Sequence, residues 1–293
     1  MNTSNVQPHV QTVHILEATM SDTASTEPVA EFYDQLTDLI AAAYDGNFHL
    51  GYSPDPTDDS TLPAAPDLMT DQLISRLGAG PGDTVLDVGC GTGKPALRLA
   101  SASGAHVVGI SISRHQVNLA STNAQTAGMQ DRARFEYADA MKLPYGDASF
   151  DAAWAFESML HMPDHNRFLA EMTRVLKPGG RLVIADFALR GPLDPADEPV
   201  VDAYRTTSQV ASLLQIDQYP ALLERAGFTL LEIADVSDHA RPSFAKVVGD
   251  LNAARAGFVA CIGADAFDAF VGSVQAYGAL PQAGYVILTA STP

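Results

Sequence analysis

The stretch Thr84-Val85-Leu86-Asp87-Val88-Gly89-Cys90-Gly91-Thr92-Gly93-Lys94 sets a short apolar strand directly before a glycine-rich turn. Helical spacing begins near Pro95, so the turn joins a strand to a helix. Glycines at such a turn let the backbone bend tightly and approach a ligand without a Cβ in the way. The dinucleotide fingerprint G-x-G-x-x-G is not met, because the sixth position counted from Gly89 is Lys94. Asp87 argues in the same direction. A carboxylate at the strand's end would repel a pyrophosphate, whereas it can accept hydrogen bonds from an ammonium, directly or through water. S-adenosylmethionine (SAM) carries an α-ammonium and a sulfonium, so this acidic turn suits SAM better than NAD. Asp87, Gly89, Gly91 and Gly93 are the first cofactor-binding candidates.

Working outward from the turn, short apolar runs alternate with helical ones. Strands are expected at 84–88, 106–110, 133–137, 150–155 and 181–186, with helices from 95, over 114–127 and over 166–176. That alternation implies parallel βαβ units and an open sheet covered on both faces. Beyond Asp186 the rhythm loosens. Residues 187–215 show no strand pattern, a helix (219–226) and a strand (228–236) follow, and 239–283 is rich in apolar residues before a last strand at 284–288. The segments 187–215 and 237–283 read as cap insertions over the site, an ordinary packing subdomain being the alternative for the later one. On the N-terminal side, helices are expected at 28–44 and from Pro66 to Leu77, within a covering segment 29–80. Residues 1–28, rich in Ser, Thr, Asn, Gln and Pro, read as a mobile tail. The catalytic domain is then 29–293.

The 293 residues carry a formal net charge of −18, which argues against nucleic acid or an anionic membrane as partner, since both need a basic footprint. Two cysteines, Cys90 and Cys261, read as reduced thiols. With no basic and apolar leader and no apolar run near 20 residues, a cytoplasmic location is expected.

Four segments stand in a familiar order: 85–94, Gly109-Ile110-Ser111-Ile112-Ser113-Arg114-His115-Gln116-Val117, Tyr137-Ala138-Asp139-Ala140, and Arg174-Val175-Leu176-Lys177-Pro178-Gly179-Gly180. They resemble the motifs of class I SAM-dependent methyltransferases. The chain is most similar to bacterial natural-product O-methyltransferases of the type that methylates the sugar of rebeccamycin, from about residue 29 to the C-terminus. The resemblance implies a doubly wound, Rossmann-like α/β fold with seven mostly parallel strands and a helical cap. It also implies SAM as methyl donor, S-adenosylhomocysteine (SAH) as coproduct, and a hydroxyl of a small natural product, glycoside or polyketide-like, as acceptor. A homodimer is compatible with it.

The resemblance also distributes roles. Ser111, Ile112 and Gln116 stand where many relatives place a carboxylate for the ribose; a helix cap by Ser113 with a surface Gln116 is the plainer reading. Asp139 fits the acceptor for the adenine amine and Ala140 a backbone donor to the ring. Phe156, Tyr33 and His49 fall in stretches that border the cofactor in similar proteins. For the transfer step, His161 follows the fourth strand and Asp186 ends the fifth, so a base oriented by a carboxylate is expected. One departure stands out: the sugar-methylating relatives carry two adjacent histidines, and this chain has Leu160-His161. A SAM-binding cyclase that does not transfer the methyl group is the alternative this departure leaves open.

Overall fold

The computed structural model describes residues 26–293. The seven strands are β1 (Thr84–Val88), β2 (His106–Ser111), β3 (Ala133–Tyr137), β4 (Phe150–Phe156), β5 (Leu176–Leu189), β6 (Thr229–Asp235) and β7 (Ala283–Ser291). They form one sheet in the order β3-β2-β1-β4-β5-β7-β6, parallel throughout except for β7, which is antiparallel to both β5 and β6. Around it lie α1 (Glu27–Ala43), α2 (Ala65–Leu77), α3 (Lys94–Ser103), α4 (Arg114–Thr126), α5 (His165–Val175) and α6 (Glu198–Thr207). The series continues with α7 (Tyr219–Arg225), α8 (Ser237–Ala240), α9 (Pro242–Ala253), α10 (Arg255–Ile262) and α11 (Ala264–Ala279). The doubly wound α/β fold expected above is the one observed.

The strands are nearly continuous apolar runs because both faces are buried. Val85, Trp154 and Val183 enter one core, while their neighbours Leu86, Ala153 and Leu182 enter the other, as the two-residue period of a strand requires. A fully buried aliphatic side chain contributes about 1.5–3 kcal/mol, so both layers of helices are needed. Between β1 and β4 the strand order reverses direction, which opens a crevice at the strands' C-terminal ends.

The boundaries differ from expectation in two places. Residues 187–189 belong to β5 rather than to a cap, because antiparallel β7 offers them partners: Phe187 pairs with Tyr285 and Leu189 with Ala283. The expected tail, 1–28, falls mostly outside the described residues, and α1 already starts at Glu27. Helix α1 packs against α9–α11 through Leu36, Ile40, Leu251, Phe258 and Phe267. The N-terminal helix and the late insertion therefore meet, and together they wall the cavities at the strand ends.

Candidate active site

The glycine-rich turn after β1 needs its glycines for two different reasons. Gly89, Gly91 and Gly93 all have positive φ, at 78°, 53° and 78°, where side chains are strained. A Cβ on Gly93 would lie 2.7 Å from the Phe135 ring, and one on Gly89 only 2.5 Å from Ser158 Cβ. At Gly91 a Cβ would make ordinary contact with the Phe48 ring, at 3.6 Å, and clash with nothing. Gly89 and Gly91 line cavities, whereas Gly93 lines none of the three and packs closely against Phe135 and Ala120. Gly93→Ala should therefore cost about 1–3 kcal/mol of stability in denaturant unfolding, with cofactor affinity of the folded protein unchanged in calorimetry.

Three cavities meet here. The first, about 680 Å³, brings together Ser111, Ile112, Gln116, Asp139, Ala140 and Phe156 from the ends of β2, β3 and β4. Ser111 donates to Gln116 Oε1 at 2.7 Å, and the Ser113 N–H donates to Ser111 Oγ at 3.0 Å. Ser113 also caps α4, accepting the Gln116 N–H at 3.0 Å. Cap and cavity wall thus coexist, and Gln116 is buried rather than on the surface.

A smaller space of about 320 Å³ lies against Asp87, Gly91, His49 and Phe156. Asp87 is 2% exposed and its Oδ2 has no hydrogen-bond partner among the described residues. Burial pushes its pKa up to about 7, the nearby Trp154 indole opposing. His49 stacks on Phe156 with ring centres 3.9 Å apart and donates from Nδ1 to the Leu50 carbonyl at 2.9 Å. Burial lowers its pKa to about 4, so it is neutral.

The third cavity, about 770 Å³, is apolar, walled by Phe32, Leu160, Phe187, Tyr204, Phe244 and Phe270 among others. Tyr33, Phe48, Glu157 and His161 line both this chamber and the first cavity. The His161 ring spans two partners: Nδ1 lies 2.7 Å from the Gln209 carbonyl and Nε2 lies 3.0 Å from the Tyr33 hydroxyl. A carbonyl can only accept, so Nδ1 carries the hydrogen and Nε2 accepts from Tyr33. Burial lowers the His161 pKa, leaving a neutral imidazole with its lone pair at the junction.

Asp186 does not orient this imidazole, contrary to expectation. Although β4 and β5 are neighbours, the single turn Met159–His161 presents its backbone to Asp186 and its histidine away from it. Asp186 Oδ2 accepts the Leu160 N–H at 3.1 Å, and the backbone of Met159 and Ser158 adds further hydrogen bonds. The carboxyl is fully buried, lines none of the three cavities, and is pushed well above its usual pKa by that burial. It anchors the turn that carries His161. The orienting group is the Gln209 carbonyl, which no side-chain pattern could have marked.

Glu157 also escaped the sequence reading. It follows Phe156 directly, in a left-handed conformation (φ 46°), and its N–H donates to the Ala185 carbonyl at 2.7 Å. Its Oε1 accepts from the Leu50 N–H and the Tyr285 hydroxyl, each at 2.7 Å. Burial pushes the carboxyl up to about 8, against the lowering effect of those two donors. The signal available was a carboxylate directly after an apolar strand, at the end where open sheets bind ligands.

Among the described residues no Lys or Arg lines any of the three cavities, whereas Asp87, Asp139 and Glu157 do. That donor set fits a cationic ligand such as SAM, with Asp87's orphaned oxygen and the Gly91 backbone at the cavity wall available to it. It opposes a dinucleotide pyrophosphate. Among the described residues no cluster could hold a metal ion, and no helix is long and apolar enough to cross a membrane.

Comparison with known proteins agrees with this chemistry. A methyltransferase domain family matches residues 86–184. The chain is 46% identical over 280 residues to methyltransferase GfsG of Streptomyces halstedii, covering 94% of this chain and 98% of that protein. It is 40% identical to the 27-O-demethylrifamycin SV methyltransferase of Amycolatopsis mediterranei, over 90% and 97% of the two chains. Among solved structures, the [4+2]-cyclase SpnF superposes with a TM-score of 0.81 at 33% identity, covering 92% of this chain and 97% of that one. Likeness at that level along whole chains makes this protein a member of the class I SAM-dependent methyltransferases, within the group of natural-product O-methyltransferases, with SAM as its cofactor.

Proposed function

We propose that the protein methylates a hydroxyl of an apolar natural product held in the chamber, with His161 receiving the proton. The observation that carries this reading is the shared wall: a cavity suited to SAM opens onto an apolar chamber past a neutral histidine. SAM, when bound, supplies an electrophilic methyl group. Ser111, Ile112 and Gln116 serve its ribose and adenine side, Asp139 and the Ala140 backbone the adenine, and Asp87 the ammonium. Gly89 and Gly91 let the backbone approach, while Tyr33, His49 and Phe156 shape the methionine side.

The acceptor hydroxyl takes the place of Tyr33 at the His161 lone pair and passes its proton to Nε2. The Gln209 carbonyl, fixed on Nδ1–H, holds the tautomer and favours the imidazolium that forms. Aromatic walls keep water from competing. Alignment in such a chamber is worth several kcal/mol of the barrier, and a positioned base roughly 10²–10⁴-fold.

A pH dependence follows. Because burial lowers the His161 pKa below 6.5, the base stays neutral as pH falls through the ordinary histidine range. At saturating SAM, the acid limb of kcat/KM for the acceptor should lie below pH 6.5; a limb above that value would contradict a buried histidine base.

The test is incubation with SAM labelled in its methyl group and hydroxylated polyketide acceptors. Label on an acceptor oxygen supports the reading. A second reading is a SAM-binding cyclase, favoured by Leu160 beside His161 and by the 33% identity to SpnF. Product formed from a polyene intermediate without label would establish it and sink the first.

A further inference from the structure

Methyl transfer requires the donor carbon to pass from one cavity to the other, and among the described residues the wall common to both contains a single carboxylate, Glu157. Its geometry is fixed from three directions: the N–H by β5, and Oε1 by Leu50 and by Tyr285 of β7. Oε2 makes no hydrogen bond among the described residues. A glutamate with φ 46° pays a conformational cost of about 1–3 kcal/mol, and that strain places a carboxyl at the junction. Nothing in the proton path through His161 uses it.

We propose that Glu157 is the counter-ion to the sulfonium centre of SAM, so that the site discriminates the charged cofactor from its neutral thioether product. The inference rests on SAM occupying the first cavity. Among the described lining residues there is no Lys or Arg and no other carboxylate on this wall to meet the charge of a bound sulfonium. Loss of that charge on transfer leaves a carboxylate facing a neutral sulfur, which favours release of SAH.

The groups facing Glu157 are Tyr285 of β7, Asp186 of β5, Tyr33 of α1, Tyr204 of α6, and the two neutral histidines His49 and His161. Burial raises the four other acids, so the three tyrosines are neutral near pH 7 and the Asp186 carboxyl is held well above its usual range; burial lowers both histidines, which are neutral. Glu157 itself, at about 8, holds a proton in the free enzyme at pH 7. A cation beside it expels that proton, so SAM binding strengthens as pH rises toward 8, whereas SAH binding has no such incentive. Asp87 faces the ammonium that both ligands share, and its contribution cancels between them.

Calorimetry of SAM and SAH with the wild type and Glu157→Gln, at pH 6.5 and 8.5, tests this. The variant keeps an oxygen to accept from Leu50 and Tyr285. From pH 6.5 to 8.5 the wild-type preference for SAM over SAH should grow about tenfold more than that of the variant, one pKa unit of coupling being tenfold in affinity. The ligands' own titrations cancel in that comparison. At pH 7, buffers of different ionisation heat should show more protons released with SAM than with SAH by the wild type, a readout that stands if the variant fails to fold. Equal proton release, or the same preference in both proteins at both pH values, overturns the proposal. A wild type that binds neither ligand overturns the cofactor placement on which it rests.

Discussion

His161→Ala lowers kcat by about 10²–10⁴-fold, the contribution of a positioned general base, while SAM affinity changes little. The expectation follows from the ring's two hydrogen bonds. Nδ1–H is committed to the Gln209 carbonyl, and the Nε2 lone pair faces the junction, closed in the free protein by the Tyr33 hydroxyl. Alanine removes the proton acceptor but leaves the turn intact, since Asp186 holds that turn through backbone groups rather than through the imidazole. Melting temperature should therefore move little, and the loss should appear in kcat. A fall of less than tenfold with the fold intact would move the proton elsewhere. Single-turnover kinetics with preformed enzyme–SAM complex make the measurement, because they isolate the chemical step.

Gly91→Val abolishes SAM binding, weakening it at least 100-fold, or about 2.8 kcal/mol. Two effects act together. The backbone at Gly91 has φ 53°, a region where a β-branched residue is a genuine outlier. The added side chain also projects toward Phe48, at a wall that Gly91 shares with two of the cavities and where the turn must approach its ligand. This differs from Gly93→Ala, where the clash is with Phe135 and stability pays instead. Calorimetric titration of the two variants separates the roles: unchanged SAM affinity in Gly91→Val would remove the ligand from this turn.

Much of the architecture was legible before any coordinates. The run 84–94 carries strand, turn and helix in one stretch, and the alternation after it admits little besides a parallel, doubly wound sheet. Ser111, Ile112, Gln116, Asp139, Ala140 and Phe156 each lie at a strand's end or within a few residues of it, and the topology sends those ends to one crevice, so that they share a cavity wall follows from the sequence pattern. What stayed hidden depends on long-range pairing or on backbone direction. Residues 187–189 look like loop until β7 arrives from the far end of the chain to pair with them. Asp186 and His161 lie on neighbouring strand ends, yet one turn of tight helix rotates the imidazole toward Tyr33 and Gln209. Gln209 acts through its carbonyl, which is the same in every residue type. Glu157 owes its place to a left-handed backbone, which no spacing rule predicts for a glutamate.

The central claim is that the crevice at the β1 turn holds the cofactor beside an apolar acceptor chamber. Its most direct test is a crystal structure with SAH bound. Adenine is expected against Asp139 and Ala140, ribose near Ser111 and Gln116, and the sulfur toward the wall of Tyr33, Glu157 and His161, with the chamber left free for the acceptor. SAH lying in the apolar chamber, or with its sulfur turned away from that wall, would contradict it.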